Sequence, residues 1–328
     1  MKPGVVLAAI AGLLLLTVVV AWVGVRPVAG AIGRIGLVGF LLFTLYWLLV
    51  VAVLGLAWFV AAPGLPPSRA WTFIWGRAVR EGASDLLPFS QIGGLLIGAR
   101  AVAARGVSET LVFASTLVDI TAELAAQVLY SLAGVAALVL VRFGTPGAKP
   151  LLWAAAGGVV ALIAAAGAFF AVQRRGVAWI GALASRWAPS AVSRADAMQL
   201  ALNDIYRRPG RMSVAVSLHL MAWAGSGVVS WVGLRLMGVA APLWALLAAE
   251  SLMYVVRSVG FMVPAALGVQ EGAYVLIGPL FGLAAQDMLA LSLLKRGRDI
   301  LVGAPILIAW QALEAARLRR PAPSPPGA

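Results

Sequence analysis

Four apolar runs dominate the sequence, at Val5 to Val23, Leu37 to Ala62, Leu151 to Val172 and Met212 to Leu234. Each is long enough to cross a hydrocarbon core of about 30 Å, which needs roughly 20 residues of helix. Two more runs have the length but carry charge inside, Glu109 to Val141 and Asp287 to Ala312. In a bilayer every backbone polar group must be satisfied within the spanning structure, and unbroken runs of this kind do so as helices. A mean hydropathy of +0.98 over 328 residues exceeds what a water-soluble core of that size can bury. The expectation is an all-α polytopic membrane protein with six spans. Lys2 precedes the first run as in a signal peptide, but the run exceeds the usual apolar region of roughly 7 to 15 residues and no A-x-A site follows, so it reads as a retained helix.

The net charge of +13 would suggest nucleic acid in a soluble chain; here its distribution suggests orientation instead. With six spans both termini share one side. Assigning that side to the cytoplasm gives it fourteen cations, among them Arg69, Arg77, Arg80 and the Arg174 to Arg211 group, against five opposite: Arg26, Arg34, Arg142, Lys149 and Arg235. Both termini are therefore expected in the cytoplasm. Between Arg174 and Arg211, Val192, Ala195, Met198, Leu202 and Ile205 recur at helical spacing and Pro209-Gly210 ends the run, as in an amphipathic helix on the cytoplasmic surface. The tail 321–328, PAPSPPGA, reads as disordered.

Two interruptions share a pattern. LPFSQIGGLLIG at 87–98 and VPAALGVQEGAY at 263–274 each set a proline before glycines in GxxxG spacing: Pro88 with Gly94 and Gly98, next to Gly93, then Pro264 with Gly268 and Gly272. Short helical runs flank each, Ser68 to Gly82 and Leu95 to Arg105 in one case, Ala241 to Arg257 and Val269 to Phe281 in the other. At an offset of 176 the prolines align, Gly106 meets Gly282 and Glu123 meets Asp299. A duplicated unit is expected, residues 1–145 and then 146–320 with segment 174–211 inserted. Three spans plus one broken hairpin per unit is an odd number, so the second copy would be inverted, with two re-entrant hairpins opening to opposite faces. The alternative is that the prolines kink ordinary spans.

The stretches VREGASDLLPFSQIGGLLIGAR (79–100), FASTLVDITAELAAQ (113–127), VPAALGVQEGAYVL (263–276) and LALSLLKRGRDILVGAP (289–305) resemble the flippase-like transmembrane family that includes the membrane half of lysylphosphatidylglycerol synthases. Within it they are most similar to the hopanoid-biosynthesis-associated membrane proteins of bacteria. The family's second break usually carries a Pro-Gly-Gly core, whereas Ala265 and Ala266 follow Pro264 here. The resemblance implies a multi-pass protein of the bacterial inner membrane that moves a hopanoid or related amphiphilic lipid, with hopanoid-biosynthesis proteins as candidate partners. The synthases add a soluble aminoacyl-transfer domain; the few residues after Arg320 cannot form one, so that activity is not expected.

Inventory argues against an enzyme. Cysteine is absent, which excludes thiolate catalysis and Cys-ligated metal, and no Gly-Lys-Ser/Thr phosphate loop exists. The single histidine, His219, lies in an apolar span, where a helix-to-helix hydrogen bond is the simpler role. No cofactor and no metal site are expected, and neither is a nucleic-acid partner.

The charged spans carry the candidate site. Lys295, Arg296, Arg298 and Asp299 fall within an arc of about 160° on a helix, and Asp119 and Glu123 share a face with Ser115, Thr116 and Gln127. A charge at mid-bilayer costs roughly 2.5 to 3.5 kcal/mol, so these stripes should face inward and neutralise one another across the repeats. They form either a structural ion-pair lattice or a headgroup or proton pathway. Glu271 opens the half-helix after the second break, where it caps the positive helix end or competes with a lipid phosphate for Arg257 and for Lys295 or Arg298. The function classes in play are a lipid translocator and a non-transporting scaffold of a lipid-synthesis complex.

Overall fold

The computed structural model describes residues 25–87, 90–145, 147–184, 190–259 and 269–319. Ten α-helices follow in order: α1 (Val25–Ala61), α2 (Ala70–Leu86), α3 (Ser90–Ala103), α4 (Glu109–Arg142), α5 (Ala148–Ala184), α6 (Ser190–Tyr206), α7 (Pro209–Leu236), α8 (Leu243–Val259), α9 (Val269–Ile277) and α10 (Ala285–Arg319). Among the described residues there is no strand. Five helical stretches are long and apolar enough to cross a membrane: Gly33–Ala61, Glu109–Arg142, Lys149–Gln173, Pro209–Leu236 and Ala285–Arg317. They match five of the six expected runs. Val5 to Val23, the tail 321–328, Pro88 and Pro264 to Gly268 lie outside the described residues, as does the side chain of Arg257.

The remaining core helices are too short to cross. α2 and α3 have 17 and 14 residues, about 26 and 21 Å at 1.5 Å per residue. They fold back on each other, and their outer ends meet where Arg69 Nη1 donates to the Arg105 carbonyl at 2.6 Å. Glycine makes this hairpin tight. A Cβ on Gly98 would stand 2.8 Å from Arg80 Cβ and 2.9 Å from the Gly76 carbonyl oxygen, and one on Gly94 would stand 2.8 Å from the Arg80 carbonyl oxygen. Gly93 and Gly272 have nothing within 4 Å of such a Cβ, so neither serves close packing.

The second short pair, α8 and α9, also pack together. Their outer ends meet where the rings of Trp244 and Phe281 lie 6.4 Å apart, edge to face. Helix α4 links the two hairpin mouths. It starts just after Arg105, capped by Ser108 accepting from Leu111 N at 3.2 Å, and ends with Arg142 donating to the carbonyls of Leu280 and Pro279 at 2.9 and 2.8 Å. With 34 residues, about 51 Å of helix, it separates those mouths by the depth of a bilayer. The hairpins therefore open at opposite ends of the bundle.

Packing repeats with the sequence offset. Helix α1 packs on α7, its own counterpart. The contacts α1 with α2, α2 with α3, α3 with α4, α1 with α4, α2 with α10 and α1 with α10 recur as α7 with α8, α8 with α9, α9 with α10, α7 with α10, α8 with α4 and α7 with α4. Each hairpin thus leans on a long charged helix, α2 on α10 and α8 on α4. α2 and α10 cross at bare backbone, a Cβ on Gly82 falling 3.2 Å from Gly303 Cα. The main apolar core, with Phe43, Leu54, Leu246, Met288 and Leu291, fills the space between α1, α7, α8 and α10.

The inserted helix α6 is docked on protein. Leu202 and Ile205 are buried against Ala61, Ala114 and Val118, while Leu200 is exposed. Tyr206 donates to Gln173 Oε1 at 2.7 Å, and Gln173 Nε2 donates to Thr121 Oγ1 at 2.9 Å. Burial on one face and a three-helix polar tie fix the amphipathic segment on the ends of α1, α4 and α5.

Candidate functional site: a charged cavity between the hairpins

Two buried charge networks face one cavity. In the first, α2 supplies Arg77 and Arg80 and α4 supplies Asp119 and Glu123. The turn spacing of α2 sets its two guanidiniums on one face, against carboxylates one turn apart on α4. Arg77 approaches Glu123 at 2.9 Å, Arg80 approaches Glu123 at 2.8 Å and Asp119 at 3.2 Å, and Arg77 also meets Glu81 at 2.8 Å. His219, from α7, closes the group with Nε2 2.8 Å from Asp119 Oδ1, both side chains fully buried. The single histidine thus takes the interhelical bonding role expected of it. Glu123 takes both guanidiniums, so removing it would leave two buried arginines short of a carboxylate.

The second network centres on Glu250 of α8. Its Oε1 accepts from Ser230 Oγ of α7 and from Tyr274 Oη of α9, both at 2.5 Å, and from Lys295 Nζ of α10 at 2.6 Å. Four helices converge on one oxygen. One turn away, Arg298 donates through Nε and Nη2 to Asp299 at 3.0 and 2.6 Å and lies 4.0 Å above the Trp47 ring of α1. Asp299 and the ring together fix the plane of that guanidinium.

Between the networks lies a cavity of about 390 Å³ whose wall includes Arg80, Glu123, Glu250, Lys295, Arg298 and Asp299. Both hairpins and both charged spans contribute to it. Asp119, Glu123 and His219 offer ligand atoms within 4.8 Å of one another, a spacing compatible with a metal ion. The guanidiniums of Arg77 and Arg80 already stand against those carboxylates, so the protein's own cations fill that role.

The charge-lined cavity lies inside a bundle that holds five membrane-length helices, and the comparison by sequence agrees with a membrane family. A family model described as the lysylphosphatidylglycerol synthase TM region matches residues 6–306. The chain belongs to that family. No curated protein and no solved structure matches it. In this member of the synthase TM-region family the chain is a multi-pass membrane protein of lipid-related function.

The sequence-derived candidates fall in three places. Glu123, Lys295, Arg298 and Asp299 line the cavity, and Asp119 lies just behind Glu123. Glu271 is outside the described wall, held by Arg296 at 3.1 Å. Arg296 is thus a cationic neighbour of Glu271 among the described residues. Neutralisation also runs differently from the expected pairing of α4 acids with α10 bases: the α4 acids take α2 arginines, and Lys295 takes Glu250. Arg77 and Arg80, assigned with the surface cations, are 1% and 8% exposed. Sequence reasoning missed them, and missed Glu250 and Tyr274. The available signal was a lone acid in the apolar run LLAAES and an arginine pair three residues apart in a short helix.

Proposed function

We propose that this chain is a flippase-like lipid translocator of the bacterial inner membrane, handling a hopanoid or related amphiphile, with no chemical step of its own. The observation that carries the reading is the cavity walled by charged residues from both broken hairpins, inside a bundle of membrane-length helices. A scaffold needs no such interior. Desolvating this many ionisable groups is costly, and a polar chamber at that depth is useful to a molecule whose head must cross hydrocarbon.

The two halves form an inverted repeat in this reading. Support comes from the contact pairs that recur at the 176-residue offset and from hairpin mouths at opposite ends of the bundle. Alternating access then amounts to one hairpin and its partner span rocking against the other. The end bearing Arg69, Arg105 and Arg211 faces the cytoplasm, by the excess of cations there. The hopanoid assignment follows from the motif resemblance at 79–100 and 289–305. Leaflet distribution of hopanoids in a strain lacking the protein tests it: loss of the outer-leaflet pool with synthesis intact supports translocation, and lost synthesis with unchanged distribution supports a scaffold.

A further inference from the structure

Each cation of the cavity wall already has a carboxylate at contact distance. Arg77 and Arg80 share Glu123, Lys295 holds Glu250 at 2.6 Å, and Arg298 holds Asp299 at 2.6 Å. A phosphate at any of them would bring a second anion against a cation whose charge a carboxylate already balances. An ammonium head would likewise bring a second cation beside Glu250 and Asp299, each already balanced by its own cation.

What remains unpaired is of another kind. Among the described residues Arg298 Nη1 and Trp223 Nε1 are buried donors without an acceptor, and both residues belong to the cavity wall. On the acceptor side, Glu250 takes its three bonds on Oε1 and Asp299 takes both guanidinium bonds on Oδ1. The lone pairs of Glu250 Oε2 and Asp299 Oδ2 are left for a donor. One wall therefore holds donors that lack acceptors beside acceptors that lack donors. A hydroxyl serves both at once and brings no charge. Trp47 and Trp223, 176 residues apart on the paired helices α1 and α7, add flat apolar faces to the same chamber. At about 390 Å³ the cavity suits a polar head, with the lipid chains left outside.

We infer, building on the translocation reading, that the cavity takes the head of an uncharged, hydroxyl-rich lipid, a polyol or a sugar, in preference to a phosphate or amine head. Arg298 and Trp223 are the specificity residues, each donating to a head oxygen. Glu250 and Asp299 accept from its hydroxyls.

The test compares three tail-labelled fluorescent lipids with identical chains in proteoliposomes: glucosyl diacylglycerol, phosphatidylglycerol and a trimethylammonium-propane diacyl lipid. Bleaching by external dithionite reads the transbilayer rate. The glucosyl lipid should move about tenfold faster than either charged lipid, and Arg298→Lys and Trp223→Phe should erase most of that preference while keeping charge and ring. Faster movement of a charged lipid overturns the inference and leaves translocation standing. Should no lipid move, translocation fails, and the head assignment is decided by melting in nanodiscs doped with each lipid. A Tm rise confined to the glucosyl lipid and lost in Arg298→Lys supports it, and equal shifts for all three overturn it.

Discussion

Asp119 and Lys295 stand 176 residues apart, at equivalent places on the long helices α4 and α10, and they carry opposite charge. Each is buried, and each is answered from a short hairpin helix: Asp119 by Arg80 of α2 at 3.2 Å, Lys295 by Glu250 of α8 at 2.6 Å. At this 176-residue offset the two positions carry polar contacts of reversed sign. The cavity between them consequently combines both signs of charge without being an anion or a cation trap.

The first prediction concerns Asp119, which holds His219 and Arg80 at once. Asp119→Ala should cost about 3 kcal/mol, because it takes the carboxylate from fully buried His219 and leaves Arg80 to share Glu123 with Arg77. Asp204→Ala, which breaks an exposed pair with Arg208, should cost less than about 1 kcal/mol. Thermal melts of the detergent-solubilised variants check the contrast.

The hairpin glycines divide in two. A methyl on Gly94 would stand 2.1 Å from Ser84 Oγ and 2.8 Å from the Arg80 carbonyl, so Gly94→Ala should destabilise by about 1 to 3 kcal/mol. Gly93→Ala meets nothing within 4 Å and lies in a helix, so it should be neutral or stabilise by about 0.5 kcal/mol. Equal melting temperatures for the two variants would mean that α2 and α3 are not in close contact.

Lys295 and Glu250 should behave as a unit. Lys295→Met alone leaves the Glu250 carboxylate buried beside only Ser230 and Tyr274, and should destabilise by about 3 kcal/mol or more. Adding Glu250→Gln removes the stranded charge and should recover most of that loss, a coupling that a double-mutant cycle measures directly.

Topology is open to labelling because the chain has no cysteine. Thr145→Cys and Ala240→Cys, both at exposed positions, should react with an impermeant maleimide from outside the cell, and Asn203→Cys only after permeabilisation. The reverse pattern would invert the orientation.

Much of the fold is legible in the sequence because its dominant signal is length of apolar helix. The runs beginning at Leu37, Glu109, Leu151, Met212 and Asp287 reappear as five membrane-length helices. Even the first limit has a cause: Gly36 has φ of +64°, a kink that breaks α1 just before Leu37. The short helices were legible from proline and glycine. Their partners were not. An arginine in a short helix between spans reads as a surface cation, and only the fold back of α2 into the bundle turns Arg77 and Arg80 inward. Likewise, wheel geometry placed Lys295 and Asp299 on an inner face but could not say that α8 brings Glu250 there, since that contact spans 45 residues. Periodicity shows which face of a helix is polar, whereas pairing depends on which helices cross.

The most direct measurement is transbilayer lipid movement by the purified protein in liposomes. With labelled glucosyl and phosphoglycerol lipids present from the start in both leaflets, external dithionite should bleach nearly the whole signal when the wild-type protein is present. The folded Glu250→Gln, Lys295→Met double variant should bleach much more slowly. Wild-type bleaching that stops at the outer-leaflet share, as in protein-free liposomes, would contradict the account.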